Sequence, residues 1–552
     1  MKTYLYRIQI KHHFMILLLC TLISVILPLS LQADNQTFFD LRNWDGENFV
    51  TSVKSQQGGT CWTFGAMAAI EGNMLLTGNW TASGEEGEPN LAEYHLDWWN
   101  GFNNHYNEDI WPQTGGLTIH LGGDYRVSSA YLSRGEGAVR EIDAPTYENP
   151  SPRSDHSYRY FYVPHIEWYT AGSFLQNINL IKSKIMENGV MGTCMAYNSA
   201  FIQNNTHYQP NSSDMDPNHA VAIIGWNDHW RTQADEAGAW IVKNSWGTNW
   251  GDDGFFYISY YDKHATQHPE MGAVSFIDAQ PLSYDKIYYH DYHGWRDTKA
   301  EIHTAMNAFT SALNNLGDEY LTAVSCFTAA ENVQLIISVY DSFIDNVLTN
   351  LMYTDTAFFQ HPGFHTIPLD EEIPLWDTMT RDFYIQIQMD RGGHAFDRTS
   401  VVPVLLGGDS KTLVESTAAP GESFFLSDTG WTDFIKIEPT GNFCIKALTN
   451  VYNSSSTDGH NPDIPTENRL MQNYPNPFNA TAQIDYQLKE AGIIYLAIYD
   501  ISGREVQLLV NDYKAAGYHS VSFNAKNLPS GVYFYRLESG NLNLTKKLSI
   551  LK

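Results

Sequence analysis

The sequence runs to 552 residues with 62 acidic against 33 basic side chains, a net charge of −29. Its length calls for about three domains, and its charge argues against a nucleic-acid partner and for a self-repelling surface. With 33 Tyr and 15 Trp it is too aromatic for a disordered chain; no internal repeat stands out, and no Cys or His cluster has zinc spacing.

The chain opens with Lys2, Arg7 and Lys11, then an apolar stretch from Phe14 to Leu31 interrupted by Pro28, then Gln32-Ala33 before Asp34-Asn35. This is the pattern of a secretory signal peptide over residues 1–33, cut near Ala33. A retained membrane anchor is the alternative, because the apolar stretch is about long enough to approach a span. Next comes Ser55-Gln56-Gln57-Gly58-Gly59-Thr60-Cys61-Trp62, a glycine-rich loop that delivers a cysteine. Phe64, Met67, Ala68, Met74 and Leu75 follow at helical spacing, and Gly78 is a suitable terminator. Cys61 is therefore expected in the first turn of a helix, where unpaired N–H groups and the positive dipole end favour thiolate. The bland alternative is a buried apolar cysteine.

Beyond an aromatic, glycine-rich region containing Gly122-Gly123, the segment Val190 to Ala196 has the pattern of a core strand, which gives Cys194 a structural place. His219 stands at the mouth of a continuous apolar run, Ala220 to Trp226. A second run, Ala239 to Val242, ends in Lys243-Asn244-Ser245-Trp246-Gly247. If these runs pair, His219 and Asn244 meet at strand ends. A thiolate needs an imidazolium nearby, and that ring needs an acceptor to fix its tautomer.

Five blocks in order, Asp40-Leu41-Arg42, Val53-Lys54-Ser55-Gln56, Cys61-Trp62-Thr63-Phe64, His219-Ala220-Val221 and Asn244-Ser245-Trp246-Gly247, resemble the papain-like (C1 family) cysteine peptidases. The resemblance implies an α+β domain over residues 34–280, with Cys61 as nucleophile, His219 as base and then acid, and Asn244 as the orienting amide. It implies that Trp246 shields the His–Asn bond, that Gln56 joins the Cys61 N–H in an oxyanion hole, and that Gly122 and Gly123 let substrate backbone pair closely. Trp246 is counted with the two glycines as substrate-binding. No metal or organic cofactor is implied; the partners expected are protein or peptide substrates.

The sequence departs from the family pattern in two ways. The loop is one residue short between Gln56 and Cys61, which leaves Gln56 and Gln57 as alternative oxyanion donors. The family's extra loop cysteine, normally bonded to a partner near the Gly-Gly segment, is absent, so the loop must be held without that bridge. The Asp40-Leu41-Arg42 start also follows the signal within a few residues, so latency is expected to come from a downstream segment.

From about Pro281 the texture changes to alternation: Val333, Leu335, Ile337 and Val339, then Phe383, Ile385, Ile387 and Met389, against more polar neighbours. With strand candidates around Val324, Val401 to Leu406 and Phe443 to Ala447, residues 281–450 are expected to form a β-sandwich. Through Tyr284 to Tyr289, Gly363 to Thr366 and Cys444 to Ala447 it resembles the lectin-like domain of some bacterial C1 proteins. That resemblance leaves two roles open, glycan binding at a cell surface and positioning of the peptidase. Cys326 and Cys444 both fall on expected strands, and two outcomes stay open for them: a disulfide in an oxidising compartment or two buried thiols.

A polar linker over 451–468 leads to a small all-β sandwich at 469–552. Through Asn473 to Asn479, Ile498 to Arg504 and Ser530 to Arg536 it resembles the C-terminal sorting domain of the type IX secretion system. The partner implied is that secretion machinery, and the location is outside, or on the surface of, a Gram-negative cell. The fold class expected is thus an α+β papain-like domain followed by two all-β sandwiches. The function expected is peptide-bond hydrolysis through an acyl-enzyme. The rival is a non-catalytic surface adhesin on the same scaffold.

Overall fold

The computed structural model describes residues 36–110, 115–311, 318–375, 381–402 and 412–452, and 468–550 apart from short breaks. The signal peptide and nearly all of the linker lie outside the described residues, as does the expected strand beyond Val402. None of the described helices is long and apolar enough to cross a membrane. The chain divides into two compact units, 1–452 and 453–552.

In the first unit, the helix Cys61–Thr77 starts at the cysteine and stops at Gly78, whose φ of 74° is the left-handed geometry that favours glycine at a helix end. Every residue from Cys61 to Met74 is buried, because the helix is covered all round: it packs on the strands Met191–Met195, His219–Asn227 and Ala273–Ile277 and on the helix Glu93–Trp99. Those strands belong to an antiparallel sheet ordered His165–Tyr169, Ala273–Ile277, Met191–Met195, His219–Asn227, Ala239–Lys243, Phe255–Ser259. The expected pairing of the histidine and asparagine runs is present, with Ile223 opposite Val242 and Ala222 opposite Lys243. Cys194 is fully buried on its strand.

The same sheet continues into the second half of the unit. Strand Gly363–Pro374 pairs with His165–Tyr169, then with Asp318–Thr328, which pairs with Ile445–Tyr452. A second sheet of six strands faces this extension. Val333, Leu335, Ile337 and Val339 are all fully buried between the two, and so are Phe383, Ile385 and Ile387, as period two requires. One core is shared across the halves, since Phe327, Phe364 and Leu448 cluster with Trp62 and Phe276.

The disulfide outcome for Cys326 and Cys444 is corrected: both are free, buried thiols. Cys326 stands opposite Ile445, and both side chains enter the sandwich core. Cys444, one residue away on the partner strand, therefore faces the other side of the sheet. There it packs in the shared core and bonds Asp291.

The second unit is a small sandwich of two antiparallel sheets, one of three strands and one of four. Its core includes Ile484, Leu496, Ile498, Phe523 and Tyr535, all fully buried.

Candidate active site

Cys61 is 1% exposed. The backbone N–H groups of Ala220, Trp62 and Cys61 itself reach its sulfur, which seats the thiol between the start of its helix and the start of the histidine strand. His219 opens that strand and Asn244 follows the next one, so antiparallel pairing brings both to the same end of the sheet. The ring Nε2 of His219 lies 2.8 Å from Asn244 Oδ1. The backbone N–H of Ser245 also donates to that oxygen at 2.8 Å, which fixes which end of the amide faces the ring. Nε2 is therefore the donor, and Nδ1 is left with its lone pair. The Trp246 ring stacks on His219, centroids 4.3 Å apart at 25°, and is itself braced edge-on by Tyr197 and Trp250. Asn218 holds Tyr197 by accepting its N–H and donating to its carbonyl.

The segment before Cys61 is zipped to the asparagine segment. Gln56 N donates to Ser245 O and Gly247 N donates to Lys54 O. The Ser245 hydroxyl donates to Gln56 Oε1 at 2.6 Å, which turns Gln56 Nε2 toward Gly58 O at 2.9 Å. Gln56, Gly58 and Gly59 from this loop line an open cleft with Cys61, His219 and Trp246. Gln57 is exposed and is outside that lining; its N–H donates to Tyr94 Oη. Gly122 and Gly123 are buried and also outside it. Gly123 seats on Trp62, where an added Cβ would come within 2.7 Å of the indole ring.

The electrostatics differ from the expectation of a depressed thiol. Burial pushes the Cys61 thiol up to about 12, outweighing the amide of Ala220 on the histidine strand and those of Trp62 and Cys61 at the helix start, which lower it. Burial likewise pushes His219 down to about 4, with the Asn244 bond opposing. As separate groups, both are driven toward their neutral forms.

Sequence reasoning missed the ionic cluster behind the site. Lys54 Nζ bonds Glu71 at 2.7 Å and Glu93 at 2.6 Å. Glu71 also accepts from the Thr51 hydroxyl and Leu91 N–H, and Lys243 donates to Thr51. Burial lowers Lys54, but the two carboxylates more than offset it. A glutamate in the middle of a wholly apolar helix face was the available signal. The cluster ties the cysteine helix, through Glu71, to the residue just before Asn244.

Residues 118–274 match the Papain family cysteine protease model, a span that includes His219 and Asn244 and begins after Cys61. The chain carries a papain family cysteine protease domain. Relatives of this protease domain include Cathepsin J of Mus musculus, 28% identical over 229 residues, 40% of this chain and 60% of that protein. Procathepsin L of Rattus norvegicus is 28% identical over 222 residues, 39% and 59%. The chain thus spans about three fifths of the length of these curated relatives. Residues 287–449 match the Lectin like domain model, and residues 472–551 match the Secretion system C-terminal sorting domain model.

Among solved structures, the clostridial cysteine protease Cwp84 after propeptide cleavage superposes with a TM-score of 0.59 at 22% identity, covering 73% of this chain and 97% of that one. The cysteine protease and lectin-like domains of Cwp84, a surface layer associated protein of Clostridium difficile, give 0.59 at 20%, covering 76% and 89%. The protease-plus-lectin-like architecture is therefore a known fold.

Proposed function

We propose that the protein is an exported cysteine peptidase that cleaves protein or peptide substrates through an acyl-enzyme on Cys61. The observation that carries this reading is the locked hydrogen bond from His219 Nε2 to Asn244 Oδ1, which leaves Nδ1 as a base in the cleft shared with Cys61. Nδ1 takes the thiol proton and the thiolate adds to the scissile carbonyl. The oxyanion is received by the Cys61 N–H and by the second hydrogen of Gln56 Nε2, the first being used on Gly58 O. The geometry favours Gln56 over Gln57 for this part, because only Gln56 lines the cleft. Nδ1–H then gives its proton to the leaving amine; water, deprotonated at Nδ1, attacks the thioester, and the acid leaves as the thiol is restored. Gly122 and Gly123, buried and outside the cleft lining, take no part in this reading. Trp246 keeps water from the His–Asn bond. The C-terminal sandwich is read as an address for type IX secretion, which takes the peptidase domain across the outer membrane of a Gram-negative cell.

The test is intact mass after incubation with an irreversible thiol-directed epoxide, followed by cleavage of a peptide library. One adduct and cleavage in the parent, with neither in Cys61→Ala, is the expected result. A folded parent that takes no adduct and cleaves nothing would leave the non-catalytic reading in its place.

A further inference from the structure

Without the family's bridge, the loop before Cys61 has to be held by something else, and the structure shows what touches it. The Gly59 N–H donates to the backbone carbonyl of His120 at 2.6 Å. Gly58, at φ 65°, is so close that an added Cβ would lie 2.9 Å from that carbonyl and 2.7 Å from Tyr147 Oη. His120 itself holds φ 65°, a region that a side-chain-bearing residue keeps only when its surroundings impose it. Those surroundings are specific. Nδ1 of His120 meets Asp97 Oδ2 at 2.5 Å, and the same carboxylate oxygen accepts the His120 N–H. The Tyr147 ring stacks on the imidazole, centroids 3.9 Å apart at 22°. Trp98 stands edge-on to it and donates to Tyr147 O. Asp97 is 2% exposed on its side chain, so the anchor is rigid. His120 is absent from the cleft lining, so it does not touch a reacting group.

We propose that His120 is a positioning residue for the oxyanion loop. Its ring, fixed between Asp97 and Tyr147, sets the backbone whose carbonyl ties down Gly59, and this holds the segment from Gln56 to Cys61 in register where a disulfide is lacking. The proposal rests on the peptidase reading for its catalytic consequence, but not for the structural one.

The experiment compares the full chain with His120→Ala and His120→Asn by hydrogen exchange, peptide cleavage and alkylation of Cys61 with iodoacetamide. An asparagine amide nitrogen can stand where Nδ1 stands, and asparagine tolerates positive φ. In His120→Ala, exchange at residues 57–60 should rise by about ten-fold or more while the strand at 219–227 is unchanged. There kcat should fall by about ten-fold or more with KM and the alkylation rate within about two-fold, because alkylation needs the thiolate but no oxyanion hole. His120→Asn should restore both. Unchanged loop exchange in His120→Ala, or equal damage in the two variants, overturns the proposal. If His120→Ala loosens the whole domain, Tyr147→Leu replaces it as the test; a rise confined to residues 57–60 supports the proposal and no rise overturns it. A parent that cleaves no peptide defeats the peptidase reading alone, and the exchange comparison still decides the role of His120.

Discussion

Replacing Asn244 with alanine removes the acceptor that His219 Nε2 meets at 2.8 Å, along with the one influence that raises the proton affinity of that ring against burial. The bond strengthens when the ring becomes imidazolium, so its loss acts on the thiolate–imidazolium pair more than on the neutral pair. A hydrogen bond to a charged group is worth about 1.5–3 kcal/mol, which at about 1.4 kcal/mol per factor of ten is roughly a 10- to 150-fold smaller ion-pair population. The assay is the second-order rate of Cys61 alkylation by iodoacetamide, read by intact mass from mildly acidic to alkaline pH, with urea unfolding as the control for fold. At neutral pH the variant should be slower by that factor, and kcat/KM for peptide cleavage should fall with it. The gap should persist across this range, because burial holds the thiol up to about 12 and it does not lose its proton to solvent without His219. A folded variant whose alkylation rate stays within about three-fold of the parent throughout would refute the reasoning, since the Asn244 bond would then contribute under about 0.7 kcal/mol.

Glu71→Ala should destabilise the first unit by about 1–3 kcal/mol in urea unfolding, because the Thr51 hydroxyl and the Leu91 N–H lose a partner in the interior while Lys54 keeps Glu93. Thiol titration of the exported chain in denaturant without reductant should count four free thiols, one for each of Cys61, Cys194, Cys326 and Cys444; a count of two would restore the disulfide. Residues 34–280 expressed alone should aggregate, since truncation bares the edge of strand His165–Tyr169 and the core contacts of Phe327, Phe364 and Leu448; a soluble, cooperatively unfolding fragment would contradict this. Gly123→Ala should lower the urea midpoint, as its Cβ meets the fully buried Trp62 ring.

The helix from Cys61 to Gly78 was legible because its start is a glycine-rich loop and its stop a left-handed glycine, both local signals. The sandwich strands were legible because Val333 to Val339 and Phe383 to Met389 alternate with the two-residue period of a half-buried strand. That Cys326 and Cys444 stay unpaired was not, because Cys326 stands opposite Ile445, which leaves Cys444 one residue out of register and on the other face, and register is not written in either strand alone. Nor was the continuity of one sheet through both halves of the first unit, since edge pairing between Gly363–Pro374 and His165–Tyr169 joins segments about two hundred residues apart.

By itself, the sequence determined the candidate side chains and their order: a cysteine at a helix start, a histidine at a strand mouth, and an amide at the end of the next run. Those are choices of residue type and local period, which short stretches encode. Tertiary structure alone decided the amide orientation at Asn244 through Ser245, the choice of Gln56 over Gln57 in the cleft lining, and the direction of the Cys61 and His219 shifts. Each of these depends on which distant groups close around the site, because burial and hydrogen-bond partners are properties of the assembled fold and not of any segment.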